Sequence, residues 1–238
     1  MKTYFIHGFL ESPSMWDFCR EKFPQGEFLS LPGHGDKIAT ACPETMEEIA
    51  ALLFREMDTT APFQIIGHSM GGYLIPSLIS AGARPVQIGL FHSKIGADDN
   101  EKKIQRQRAI DLVKDNKALY IRTMITHLFS DRFKVKKYHE IDRLIEEANH
   151  IDVSNIIACQ KAMKNRPCGI STLFESKIPI HYFAGEKDNS VTLDQIMEER
   201  SQLNQFSSIR VEEKIGHMGQ WECPHSAIDW LNQIAESH

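Results

Sequence analysis

The sequence predicts an α/β protein: a reduced, mostly parallel sheet of about six strands, wrapped by helices and interrupted by an all-helical insert. Three observations predict it. Short apolar runs alternate with helix-period segments in both the N-terminal and the C-terminal parts of the chain, the pattern of a parallel sheet whose crossovers are helices. The stretch from about Lys94 to Glu175 holds no convincing strand. Between the two, Gly67-His68-Ser69-Met70-Gly71-Gly72 sits directly after one strand pattern and directly before a helical one.

Five runs read as strands: Thr3 to Ile6, Glu27 to Leu31, Phe63 to Ile66, Val86 to Phe91 and Ile178 to Phe183. A sixth, Ser208 to Glu213, is less apolar and is expected nearer a sheet edge. Helices are expected over Ser14 to Phe23, Thr45 to Met57, Met70 to Ser80, Leu193 to Gln202 and Pro224 to Ala235. Pro76 should bend the third of these, because it removes a backbone donor. In the insert, Ile121, Met124, Ile125 and Leu128 repeat at i, i+3, i+4, i+7, as do Ile141, Leu144, Ile145 and Ala148, which marks two amphipathic helices. Its charged residues, among them Lys102, Lys103, Arg106 and Arg108, are expected to face water. The division is thus a core first part over 1–93, a helical insert over 94–175 and a core second part over 176–238.

Composition narrows the function classes. The chain has 238 residues, 42% of them hydrophobic and 25% charged, enough for a core that needs no disulfide or metal staple. A formal charge of -5 offers no footprint for nucleic acid and no basic stripe for an anionic membrane. The five cysteines show no C-x-x-C pair, which argues against a thiolate zinc site and for free thiols in a reducing compartment. No run has the length of a membrane helix, and the apolar start breaks at His7-Gly8, too early for a signal peptide. A soluble, cytoplasmic protein is expected; oligomeric state is not legible.

Four local signals carry chemistry. The first is G-x-S-x-G at Gly67 to Gly71, where a serine on a sharp strand-to-helix turn needs glycines two residues either side for steric room. Alone it arises by chance in roughly one chain in ten or twenty of this length, given glycine's usual frequency. The second is His7-Gly8-Phe9 at the end of the first strand. The third is Ala184-Gly185-Glu186-Lys187-Asp188-Asn189 after the fifth strand, with Asp188 as the candidate carboxylate and Glu186 and Asp194 as rivals. The fourth is Gly216-His217-Met218-Gly219 after the last strand; His34 precedes the serine and His225 should begin the final helix, which leaves His217.

With all four at strand ends in the order Ser69, Asp188, His217, the chain resembles the α/β-hydrolase family over His7 to about Phe91 and from Ile178 onward. The middle resembles that family's lids only in position and helicity. The resemblance implies a nucleophile at Ser69, an orienting acid at Asp188 and a general base at His217. It also implies an oxyanion hole from the Phe9 and Met70 N–H groups, with no metal or organic cofactor. Two leading strands common in the family are not expected here. A small-molecule substrate should bind between the elbow and the lid, with His7, Trp16, His68, His92, Met124, His127, Leu128 and Phe129 as candidate lining residues. The expected reaction is hydrolysis of a small carboxylic ester, thioester or lactone. The alternatives are carbon–carbon bond hydrolysis or a proton-abstraction lyase step on the same triad and, more remotely, a non-catalytic binding module.

Overall fold

The computed structural model describes residues 1–203 and 207–236. Its strands are β1 (Lys2–Ile6), β2 (Gly26–Leu29), β3 (Phe63–His68), β4 (Gln87–Phe91), β5 (Ile180–Gly185) and β6 (Ser207–Glu212). They form one sheet in the order β2-β1-β3-β4-β5-β6, with every pair parallel. The strand order reverses between β1 and β3, so their carboxyl ends open a crevice where ligands of such sheets bind. In register, Ile6 lies beside Gly67, which sets the loop after β1 against the turn that carries Ser69.

Alternation builds a core on both faces of the sheet. Tyr4, Ile6, Ile65, Leu90 and Tyr182 pack on one face with the first two core helices and the insert. Their neighbours Phe5, Ile66, Phe91 and Phe183 pack on the other with Trp16, Trp230 and Ile234. β3 and β4 are buried throughout, whereas β6 is mostly half-buried or exposed, as an edge strand should be.

The core helices are α1 (Met46–Phe54), then α2 (Met70–Tyr73) and α3 (Ile75–Ser80). Thr45 caps α1 by accepting the Glu48 N–H at 3.3 Å, and Met46, Ile49, Ala50 and Leu53 form its buried stripe. The helix expected over Met70 to Ser80 is two short ones. Leu74 takes the Gly72 carbonyl that Pro76, having no N–H, cannot use, so the helix breaks there rather than bending. The helix expected over Ser14 to Phe23 is also corrected, to two 3-10 turns at Pro13–Trp16 and Arg20–Lys22. Over so few residues, apolar spacing does not distinguish a three-residue turn from a 3.6-residue one.

Between β4 and β5 run six helices: α4 (Asn100–Asp115), α5 (Lys117–Leu128), α6 (Asp131–Lys136), α7 (Tyr138–Ala148), α8 (Val153–Asn165) and α9 (Ile170–Ser176). Asp99, Asn116 and Ser130 cap α4, α5 and α6. Ile121, Ile125 and Leu128 are buried, as are Ile141, Ile145 and Ala148. Among the charged residues of the insert Arg106 departs furthest from expectation: it is buried on α4, its guanidinium on the Asp98 carboxylate. The chain ends with α10 (Leu193–Leu203), α11 (Gly219–Glu222) and α12 (Pro224–Glu236). Among the described residues no helix is long and apolar enough to cross a membrane, and all five cysteines are free.

Candidate active site

Ser69 closes β3 with φ 49° and ψ -116°, a conformation that L-residues avoid and that persists only where the surroundings enforce it. Here they do. A Cβ at Gly67 would lie 2.5 Å from the Gly72 nitrogen, and one at Gly71 would lie 2.3 Å from the Ile6 carbonyl. Any larger residue would push the turn off the sheet. The Ser69 N–H donates to the Phe91 carbonyl at 3.1 Å, and the Ser93 hydroxyl donates to the Ser69 carbonyl at 2.7 Å.

At the end of β5, Asp188 is nearly fully buried and fully hydrogen-bonded. Its Oδ1 accepts the Ser190 and Val191 N–H groups at 2.8 and 3.0 Å. Its Oδ2 accepts His217 Nδ1–H at 2.7 Å and His92 Nδ1–H at 3.3 Å. Burial works against a charge here, but the adjacent His217 and the ring hydrogen bonds from His217 and His92 outweigh it. Together they hold the carboxyl well below its usual range. Because Nδ1 of His217 donates, its lone pair is on Nε2, an atom with no hydrogen-bond partner among the described residues. Ligand-type atoms of His92, Asp188 and His217 lie within 4.8 Å of one another. Both Nδ1 atoms are committed to proton donation to one carboxylate, the geometry of a hydrogen-bonded relay and not of a metal centre. The rivals stand elsewhere: Glu186 is exposed and accepts the Lys214 N–H at 3.0 Å, Asp194 is exposed on α10, and His225 is exposed on α12.

Ser69 and His217 line one small cavity of about 50 Å³. Phe9, Glu11, His68 and Tyr73 line it from the core, and Lys102, Arg106, Met124, Leu128 and Met163 from the insert. Phe9 lies in the loop after β1, and Met70 is the first residue of α2, where the amide has no acceptor one turn back. Of the candidate lining residues, Met124, Leu128 and His68 line this cavity and five others do not. Trp16 packs against Phe5 and Phe91 on the opposite face of the sheet. His7 is buried with its Nε2 accepting the Leu31 N–H at 3.0 Å. His92 stands behind Asp188, His127 is exposed, and Phe129 stacks on Phe133 beside a different cavity.

Sequence reading missed Glu11, Lys102, Arg106 and Tyr73. Asp98 bridges Arg106 and Arg166, with Arg166 Nη1 at 2.8 Å, and Arg166 lies over the Tyr73 ring at 4.0 Å from its centroid. Lys102 has no ion-pair partner among the described residues, and burial lowers its pKa. The insert is also tied to the loop of His217. The His217 N–H donates to the Leu128 carbonyl at 2.7 Å, and Glu222 accepts both Gly216 N–H at 3.0 Å and Ser130 N–H at 3.2 Å.

Three buried histidines are held neutral. His7, His34 and His92 each accept a backbone N–H with a ring nitrogen, from Leu31, Leu10 and Gly219, which a protonated ring cannot do. Burial lowers their pKa values to about 3, about 4 and about 4. In the unfolded chain they titrate near 6.5, so below that pH the unfolded state binds more protons than the native one. Their contribution is therefore complete above pH ~6.5 and declines toward pH ~4. Urea melts should show uptake of up to about three protons on unfolding near pH 5 from this source. A stability that is flat from pH 7 to 4.5 would contradict it.

A six-stranded parallel sheet, a strained serine at the end of its third strand, and an acid and a histidine after its last two strands define an α/β-hydrolase fold. The chain belongs to the alpha/beta hydrolase family, whose family model matches residues 4–229. Among solved structures, a thermophilic esterase from Thermogutta terrifontis superposes with a TM-score of 0.87 at 21% identity, over 99% of this chain and 89% of that one. An esterase from Exiguobacterium antarcticum gives 0.85 at 12% identity, over 100% and 92%, and MenH from S. aureus 0.79 at 20%, over 99% and 95%. A search of curated protein sequences returned no significant match.

Proposed function

We propose that the protein is a serine hydrolase that cleaves a small carboxylic ester, thioester or lactone through an acyl-enzyme. The observation that carries this reading is His217, anchored through Nδ1 on Asp188 with its unpartnered Nε2 in the cavity that Ser69 lines. In the reaction, Nε2 takes the Ser69 proton as Oγ attacks the carbonyl, and Asp188 holds the ring in the required tautomer. The Phe9 and Met70 N–H groups receive the oxyanion. His217 then protonates the leaving group and activates water for deacylation. The helical insert acts as the lid, and a cavity of about 50 Å³ suits a small acyl group. Esterases among the structural relatives support the choice of bond, and free thiols suit a cytoplasmic setting.

A second reading uses the same three residues for carbon–carbon bond hydrolysis or a proton-abstraction lyase step on an acidic substrate. Lys102 and Arg106, two cations lining the cavity, favour it. One experiment separates the two: fluorophosphonate labelling of wild type and Ser69→Ala, followed by intact mass. Stoichiometric adduct on wild type and none on the variant is expected. A folded wild type that does not label would overturn the acyl-enzyme reading and put the second one first.

A further inference from the structure

We propose that Glu11 and His68 form a buried carboxylate–imidazolium pair that positions the oxyanion loop and the general base relative to Ser69. Its catalytic consequence rests on the serine-hydrolase reading; the charge state of the pair does not.

The side chains of His68 and Glu11 are 1% and 6% exposed. Glu11 Oε2 accepts the Gly8 N–H at 2.7 Å and His68 Nδ1–H at 2.8 Å. The other ring nitrogen, Nε2, lies 3.1 Å from the His217 carbonyl oxygen. With Glu11 ionised, both partners of the ring, a carboxylate and a carbonyl, are acceptors only, so both ring nitrogens carry protons. A neutral ring would set a lone pair against a lone pair on one side, in a place that water does not reach. His7, His34 and His92 are opposite cases, since each accepts an N–H. Gly8 makes room for the arrangement: a Cβ there would lie 2.7 Å from Glu11 Oε2 and 2.8 Å from His68 Nδ1.

The three backbone segments joined by the pair are those that acyl transfer needs in register. Gly8 precedes Phe9, His68 precedes Ser69, and the accepting carbonyl belongs to His217 itself. Gln220 Nε2 approaches Glu11 Oε1 at 3.4 Å from α11, which adds a second tie to the His217 loop. The titratable and charged groups around the pair are His7, His34, His92, His217 and Asp188, with Lys102 and Arg106 across the cavity. Burial disfavours both charges, yet the carboxylate raises the pKa of His68 and the imidazolium lowers that of Glu11. The contribution of His68 is therefore complete below about pH 6.5 and is lost as pH rises through its raised native value; that of Glu11 is complete above about pH 4.5. Positioning should fail on the alkaline side.

The test uses the full chain with 15N-labelled histidine, together with Glu11→Gln and Glu11→Ala. In wild type at pH 7.5 the His68 ring should show two protonated nitrogens. In Glu11→Gln the amide oxygen takes the place of Oε2 and accepts the Gly8 N–H and the His68 Nδ1–H, but the negative charge that favours a second ring proton is gone, so His68 should become neutral. That variant should show at pH 7.5 the lowered kcat that wild type reaches only on its alkaline limb, and the limb assigned to His68 should disappear. Glu11→Ala should lose on the order of 10- to 100-fold in kcat with KM little changed, the scale of a sub-ångström-to-ångström misplacement. Should Glu11→Ala fail to fold, the nitrogen spectra and the alkaline limb of Glu11→Gln still decide. A neutral His68 in wild type, an unchanged alkaline limb in Glu11→Gln, or a folded Glu11→Ala with wild-type kcat would overturn the proposal. Failure of wild type to take a fluorophosphonate would instead sink the serine-hydrolase reading, and the spectra would still report on the pair.

Discussion

Ser69→Ala is expected to lose about 10⁶ of turnover, the loss typical of a serine triad stripped of its nucleophile. The fold should survive, because the Ser69 Oγ makes no hydrogen bond among the described residues. Alanine must adopt the same positive φ, so the variant inherits the strain and adds none. The backbone bonds of the turn to Phe91 and Ser93 do not involve the side chain that is removed. A residual rate should remain from substrate binding and the Phe9 and Met70 N–H groups. Comparison of kcat on the best substrate of an ester, thioester and lactone panel, with a thermal melt as control, measures it. Retention of most activity would transfer the role to another residue, and Ser190, which lines the same cavity, would be the first to test.

Asp188→Asn should cost about 10⁴ in kcat, by analogy with the orienting acid of other triads. Asp188 Oδ1 accepts two backbone N–H groups, so the asparagine oxygen is held there and its NH2 replaces Oδ2. That NH2 donates where the carboxylate accepted two ring N–H groups. His217 must then carry its proton on Nε2, and it cannot take one from Ser69. His92 meets the same demand, and its Nε2–H would face the Gly219 N–H that it now accepts. A loss of roughly 1–3 kcal/mol of stability should accompany the kinetic loss, as for a buried donor left without an acceptor. Activity within tenfold of wild type would mean that the orientation of His217 is not set by Asp188.

The sequence was most legible where a residue's own geometry made the demand. Gly67 and Gly71 announce Ser69 because no Cβ fits beside that turn, and short apolar runs announce β1, β3, β4 and β5 because both faces of these strands are largely buried. Even the loss of regularity at Pro76 was readable, though the break at Leu74 in place of a bend depended on which donor takes the Gly72 carbonyl. Spacing failed where two periods coincide, as in the 3-10 turns at Pro13–Trp16 and Arg20–Lys22. Trp16 illustrates a different failure. An aromatic side chain in the first 3-10 turn after a strand can pack on either face of a sheet, and nothing local chooses the face that holds Phe5 and Phe91.

The residues around Ser69 divide along the same line. Ser69, Asp188 and His217 could be named because each sits in a loop whose glycines and strand context are local features of the chain. Glu11 could not, since its partner His68 is 57 residues away and the contact exists only because β1 and β3 pair with Ile6 beside Gly67. Arg106 reads as one more surface charge until α4 packs it onto Asp98. The eleven histidines are alike in sequence, yet His7, His34 and His92 meet donors while His68 meets two acceptors. By itself, then, the sequence determined the parallel sheet, the strained turn and the order of serine, acid and histidine, all of them short-range steric and hydrophobic demands. Which charges face the cavity and which rings hold a proton was decided by strand register and helix packing, because a buried polar group takes its state from the partner that long-range contacts bring to it.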